Sequence, residues 1–288
     1  MLYLLLVSLI WAFSFGLIKD NLTNVDSNFV AFARLFISFV IFLPFIKIKF
    51  IPNKTRAKLI LIGAIQYGLM YISYLYAFQF LKAYEIVLFT IMTPIYVVVI
   101  NDFIQKKFHI HFYLTSLLAI VGAAIIVWQN INSDNFLFGF LLMQISNIAF
   151  AFGQIYYKKI MSQLSEIKDS AVFTLLYLGG FLTALIFSLF TTNFYTVSLD
   201  NNEISTILYL GIIASGVGFF LWNYGARKTN AGSLAIFNNL KIPIGIFASI
   251  LFFGESVELF NLLFGGLIVT IALGINEYWI YKNKHQLN

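Results

Sequence analysis

Residues 74–94 read YLYAFQFLKAYEIVLFTIMTP, and residues 223–243 read NYGARKTNAGSLAIFNNLKIP. Placing Pro94 on Pro243 sets Ala77 on Ala226 and Ala83 on Gly232. In both stretches an aromatic-rich helix closes in a turn of one or two residues. A second helix follows, with proline about ten residues in. Each stretch lies inside a longer apolar region. A bilayer core about 30 Å thick needs about 20 apolar residues of helix. Ten such stretches lie at about 2–18, 28–46, 59–81, 84–104, 112–129, 136–157, 171–191, 204–226, 231–253 and 259–280. The loops between them are too short to fold as separate soluble domains. The runs are continuous rather than alternating, which requires helices and not a barrel. The first stretch lacks a preceding basic residue and a following small-x-small cleavage site, so it does not read as a signal peptide.

Composition agrees. Hydrophobic residues make up 60% of the 288 and charged residues 10%, against about 25% charged in an ordinary soluble domain. Mean hydropathy is +0.88. A soluble enzyme or a nucleic-acid binder needs more charge than this to cover its surface. The chain has no cysteine, hence no disulfide framework, thiolate zinc site or Cys nucleophile. Of its three histidines, His109 and His111 share a loop and His285 lies in the tail, an arrangement that does not suggest a buried metal centre. No metal or other cofactor is expected.

The net charge of +6 reflects orientation. With the N-terminus inside, the inside segments carry Lys47, Lys49, Lys54, Arg56, Lys58, Lys106, Lys107, Lys158, Lys159, Lys168, Arg227, Lys228, Lys282 and Lys284, which is 14 of the 18 basic residues. The outside connections hold Lys19 and Lys82, and Arg34 and Lys241 lie within spans. The outside connections carry Asp20, Asp26, Asp134, Asp200, Glu203 and Glu258. This asymmetry predicts ten spans in a cell (inner) membrane with both termini cytoplasmic. A missed or invented helix would scramble it. The sequence thus reads as an all-α integral membrane protein with two five-helix copies, 1–130 and 135–288. Five is odd, so the second copy is inverted relative to the first. Inverted repeats of this kind are a transporter signature.

The second half resembles an EamA domain of the drug/metabolite transporter superfamily. The residues that carry this are YLGIIASGVGFFLWNYGARKTNAGSLAIFNNLKIPIGIFASILFFGE (209–255) and FGGLIVTIALGI (264–275), with Gly211, Trp222, Ala226, Gly232, Pro243, Gly254, Glu255 and Gly266 on the family pattern. The first half matches in WAFSFGLIK (11–19), FARLFIS (32–38) and Pro94. It departs at INDFIQKKF (100–108), where the first repeat usually also has Gly-Glu. The resemblance implies a ten-helix transporter, commonly an exporter of amino acids or other small metabolites. It also implies a central cavity between helices 1, 3, 4, 6, 8 and 9.

Lys241 is the strongest single signal. It lies about 15 Å into the ninth stretch, where an ammonium costs on the order of 3 kcal/mol. It either contacts an anionic part of a solute, or is satisfied by carbonyls freed near Pro243, or is kept uncharged by burial. Asn238 and Gly245 share its helix face. Asn238 reads either as a solute contact or as a bridge between helices. Gln144, Asn147, Ala151 and Gln154 form a polar stripe on the sixth stretch, suited to cavity lining or to packing. Tyr67, Tyr71 and Tyr74 share a face of the third, with Gln66 beside it, as an aromatic wall for an amphipathic solute or as ordinary packing. Trp11 and Trp222 lie too deep for interface anchors and are candidates for cavity lining, whereas Trp279 suits the interface. The expected substrate-binding set is therefore Lys241, Asn238, Trp11, Tyr71, Tyr74, Asn147, Gln154 and Trp222.

Pro94 and Pro243 each remove a helical hydrogen bond near mid-membrane and are expected hinges. The family pattern places an Arg where Arg34 stands, a structural or gating residue. Glu85 and Glu255, near outer helix ends, read as gate or cap residues. No Asp or Glu lies near the middle of a span, which argues against a carboxylate-based proton site there. An intramembrane enzyme would need a catalytic constellation, and there is no Asp pair, His or Ser–His arrangement within the spans. A channel would need a ring of charge or carbonyls along a pore. The expectation is a carrier for a small polar or amphipathic metabolite, working by alternating access in the exporting direction. The alternative is uptake or exchange of an anionic or adenosyl, nucleotide-like metabolite. Its partners would be the solute and the lipid bilayer, with no nucleic acid and no obligatory protein partner.

Overall fold

Backbone in hydrocarbon must satisfy its own N–H and C=O groups, and this chain does so with helices. The computed structural model describes residues 1–22, 24–77, 79–81, 83–127, 136–164, 166–253 and 259–285. Lys82, Asp134, Gly254, Glu255 and Glu258 lie outside them. The helices are α1 (Leu2–Asn21), α2 (Ser27–Phe42), α3 (Asn53–Gly63), α4 (Met70–Ala77), α5 (Ala83–Thr90), α6 (Thr93–Gln105), α7 (Ile110–Val127), α8 (Phe136–Ser162), α9 (Asp169–Thr191), α10 (Asn201–Tyr209), α11 (Gly218–Arg227), α12 (Ala231–Phe253) and α13 (Leu259–His285). Among the described residues, seven helical stretches are long and apolar enough to cross a membrane. Three shorter apolar helices, Leu2–Ser14, Ile110–Ile126 and Ala231–Phe247, fall on the remaining predicted stretches. Phe103, Phe190 and Phe260 are 80%, 86% and 74% exposed, an outer surface suited to lipid and not to water.

The connections gather at two ends. At one, the Lys47 amide donates to the Ala171 carbonyl, the Met1 ammonium reaches Thr229 Oγ1 and Lys158 Nζ donates to the Thr229 carbonyl. His111 stacks there on Trp279, with ring centroids 4.7 Å apart. At the other end, Asn21 donates to Thr206 Oγ1 (2.9 Å), and Thr192 Oγ1 donates to Asp26 (2.6 Å). Asp26 also caps α2 by accepting from the Phe29 amide, and Asp200 with Glu203 forms a capping box on α10. The first end holds basic connections and the second holds acidic caps, the separation the Lys and Arg pattern predicts.

Two features interrupt the regular α-helical ladder. A π-helical segment, Ala64–Leu69, joins α3 to α4, and another, Leu210–Val217, joins α10 to α11. With Pro94 placed on Pro243, the two segments overlap. The α3–α4 helix starts at the basic end and α10–α11 finishes there, so the two run in opposite directions. A π turn releases carbonyls from the regular ladder, and side chains from other helices take those of the second segment. Ser38 Oγ donates to the Gly211 carbonyl (2.8 Å), Trp11 Nε1 to that of Ala214 (2.9 Å), and the Tyr177 hydroxyl to those of Ser215 and Gly216.

The two prolines behave differently. Pro243 sits inside the continuous α12. The fourth span breaks instead at residues 91–92, and Pro94 stands in the first turn of α6. Pro94 has no N–H to give the Thr90 carbonyl one turn back, and the Thr93 hydroxyl takes that carbonyl instead. The interruption lies in the turn just ahead of the ring, where a proline disturbs the ladder.

Candidate functional site

The centre of the bundle is aromatic. Tyr67 stacks on Phe219 with centroids 4.5 Å apart and packs on Tyr177 at 5.6 Å. Trp222 is fully buried and lies 4.9 Å from Trp11, ring to ring. Between α3–α4 and α11, Gln66 and Asn223 exchange two amide hydrogen bonds of 2.8 and 3.0 Å, and Asn223 also donates to the Tyr67 hydroxyl. These buried amides satisfy each other, so they serve packing between the central helices.

Lys241 comes off α12 beside this stack. Its Nζ lies 5.7 Å from the Trp11 ring centroid and 5.6 Å from that of Phe150, a cation–π setting on two sides. Lys241 and Trp11 are both only partly buried. One turn of α12 toward the basic end, Asn238 donates to the Leu234 carbonyl (2.9 Å) and to Gln154 Oε1 (3.4 Å). Gln154 Oε1 also accepts from Trp222 Nε1 (3.0 Å). The other halves of these two amides, Gln154 Nε2 and Asn238 Oδ1, are buried without a hydrogen-bond partner. Leaving a buried donor or acceptor unpaired costs about 1–3 kcal/mol. One donor and one acceptor, both unpaired, thus stand near an ammonium and three aromatic rings. The arrangement suits a solute with an anionic group, an apolar body and an amide-like group.

The other expected residues sit elsewhere. Tyr71 is buried, and the Arg34 guanidinium carbon lies 4.8 Å from its ring centroid. Arg34 Nε donates to Ser215 Oγ (3.1 Å), and the Tyr71 hydroxyl lies 3.4 Å from the same oxygen. This places Arg34 and Tyr71 on the second π segment. Tyr74 is half-buried where two hydrophobic clusters meet. Glu85 is fully buried in the first turn of α5. Asn147 donates to the Phe89 carbonyl (2.8 Å) and to Gln144 Oε1 (3.3 Å), and Tyr96 also donates to Gln144. That amide holds the broken fourth span. The structure thus brings Trp11, Gln154, Trp222, Asn238 and Lys241 together and sets Arg34, Tyr71 and Asn147 at neighbouring bends.

Phe150 and Ser215 were not among the expected residues. Phe150 stands four positions before Gln154, so a helical step from the polar stripe would have found it. Ser215 carries no local signal, because its role comes from the π segment.

At the basic end, Arg227 Nη1 lies 2.6 Å from Asp169 Oδ2, and the Tyr157 hydroxyl donates to Asp169 Oδ1 (2.6 Å). Asp169 is 6% exposed and Arg227 25%. The pair borders a surface pocket of about 460 Å³ that also includes Glu166, Lys168, Tyr224 and Lys228. Arg227→Met strands a buried carboxylate and is expected to destabilise the fold by about 3 kcal/mol. Adding Asp169→Asn is expected to recover most of that loss. Thermal unfolding of the two variants in detergent checks this.

Comparison with known proteins agrees with the fold. The EamA-like transporter family matches residues 1–128 and 137–276. The chain belongs to that family, so it is a multi-pass membrane transporter and not an enzyme. The biotin transporter of Salmonella typhimurium (strain LT2) is 33% identical over 288 residues, covering 99% of this chain and 96% of its own. The biotin transporter of Escherichia coli (strain K12) matches to the same extent. A probable biotin transporter of Pseudomonas aeruginosa is 33% identical over 279 residues, 96% of this chain and 97% of its own. These bacterial relatives imply the inner membrane. A crystal structure with 12% sequence identity superposes with a TM-score of 0.78 over 95% of both chains, a likeness of fold alone.

Proposed function

We propose that the chain carries biotin, or a close ureido carboxylate, across the inner membrane by alternating access between two inverted halves, with its termini and basic end cytoplasmic. The observation that carries this reading is Lys241 between Trp11 and Phe150, a turn from the unpaired Gln154 Nε2 and Asn238 Oδ1. Biotin has a carboxylate for the ammonium, an apolar ring body for the aromatic rings and a ureido group. The ureido carbonyl suits the Gln154 donor and a ureido N–H suits the Asn238 acceptor, which would remove both unpaired atoms. The names of the relatives favour biotin over an amino acid. The described buried acids, Glu85, Asp102 and Asp169, lie near helix ends, which disfavours a carboxylate proton site at mid-membrane and leaves facilitated diffusion, solute exchange or coupling through Lys241 as the ways the flux is driven.

Purified protein in liposomes tests this. Labelled biotin is expected to enter saturably and to be drawn in by counterflow when unlabelled biotin is inside. Unsaturable entry, or transport of amino acids with biotin ignored, would overturn the reading.

A further inference from the structure

The break in the fourth span frees three consecutive carbonyls, and three different helices supply groups that take them. Asn147 of α8 donates to the Phe89 carbonyl (2.8 Å) and Thr93 Oγ1 of α6 to that of Thr90 (2.7 Å). Asn239 of α12 donates to that of Ile91 (3.1 Å) and, more weakly, to that of Ala119 (3.4 Å). Asn239 is fully buried, and its Oδ1 has no partner. It stands two residues before Lys241 on α12, about 100° round the helix from Asn238. With Pro94 placed on Pro243, Met92 in the break is the counterpart of Lys241. A break in one half is therefore fastened to the helix that bears Lys241 in the other.

We propose that Asn239 is a positioning residue that couples α12 to the bend of the fourth span. Its amide passes a displacement of the Lys241 segment to the Ile91–Met92 break, where the backbone has no continuous ladder to resist it. Asn147 clamps the same break from α8. A solute that pulls on Lys241 thus acts on both halves through one buried hydrogen bond. Asn239 itself touches no solute.

The link to transport rests on the Lys241 site proposed above, but the coupling is also readable in the empty protein. Asn239→Leu keeps the branching and heavy-atom count of the side chain and removes the donor. Backbone amide exchange over residues 89–95 is expected to speed up by about tenfold, the effect of losing one buried hydrogen bond, with other segments unchanged. Asn147→Leu, on a different helix, is expected to accelerate the same residues. In liposomes, Asn239→Leu is expected to cut the maximal flux of biotin by about tenfold while equilibrium binding of biotin stays within about threefold. Unchanged exchange at 89–95 in both variants would overturn the coupling, whatever the solute. Binding that falls in step with flux would make Asn239 a solute contact and overturn it too. If the unaltered protein fails to carry biotin while exchange at 89–95 responds as expected, the assignment of solute fails and the coupling stands.

Discussion

Lys241→Met is expected to lower saturable biotin flux by about ten- to a hundredfold, the consequence of losing one charge-assisted hydrogen bond to the solute. Methionine keeps the unbranched apolar stem of lysine, one atom shorter, so most of the packing beside Trp11 and Phe150 is retained. Taking an ammonium out of the membrane interior removes a cost. The folded yield of the variant is therefore expected to equal or exceed that of the unaltered protein. The two readouts move in opposite directions only if the lysine serves the solute. A lysine held by the protein's own carbonyls predicts the reverse, with folding impaired and flux per folded molecule retained. Radiolabelled flux normalised to the monodisperse fraction in detergent separates the two.

Gly63→Ala is expected to be the most damaging single substitution for folding. At Gly63 an added Cβ would lie 1.8 Å from the Leu176 carbonyl oxygen, and at Gly179 an added Cβ would lie 1.9 Å from that of Ile60. The obstacle in both cases is backbone of the facing helix, so no side chain can swing aside. Helices α3 and α9 must separate to admit the methyl. Overpacking costs about 1–3 kcal/mol where side chains give way and more where they do not. The loss is expected at the upper end of that range, seen as a lower unfolding temperature and a smaller monodisperse fraction. Gly274→Ala is the control, because nothing lies within 4 Å of the added atom. The close approaches of Gly63 to Leu176 and of Gly179 to Ile60 directly precede the Ala64–Leu69 π segment.

The apolar helices were legible because they depend on local composition, a stretch long enough for the bilayer. Lys241 was legible for the same reason, as a charge at a depth where charge is expensive. The stripe on α8 was readable as polar groups that avoid lipid, but the partners of its members were not. Asn147 holds the Phe89 carbonyl and Gln154 meets Trp222, and only the fold distinguishes a brace from a binding group. The two π segments were hidden, although Gly63, Gly68, Gly211 and Gly216 mark their neighbourhoods. A π turn depends on which outside donors take the freed carbonyls. Those donors, Ser38, Trp11 and Tyr177, come from distant parts of the chain. Pro94 was readable as a disturbance of the ladder, whereas the side chains that take the freed carbonyls, Asn147 and Asn239, come from distant helices and were not.

The pairing of a solute carboxylate with Lys241 is tested most directly by changing both partners. Biotin and its methyl ester compete for labelled biotin flux in the unaltered protein and in Lys241→Met. The account predicts that the ester competes about ten- to a hundredfold less well than biotin in the unaltered protein. It predicts near-equal competition in whatever flux Lys241→Met retains, because the group that tells acid from ester has gone. An ester that competes as well as biotin in the unaltered protein, or a preference for the acid that survives in Lys241→Met, would contradict it.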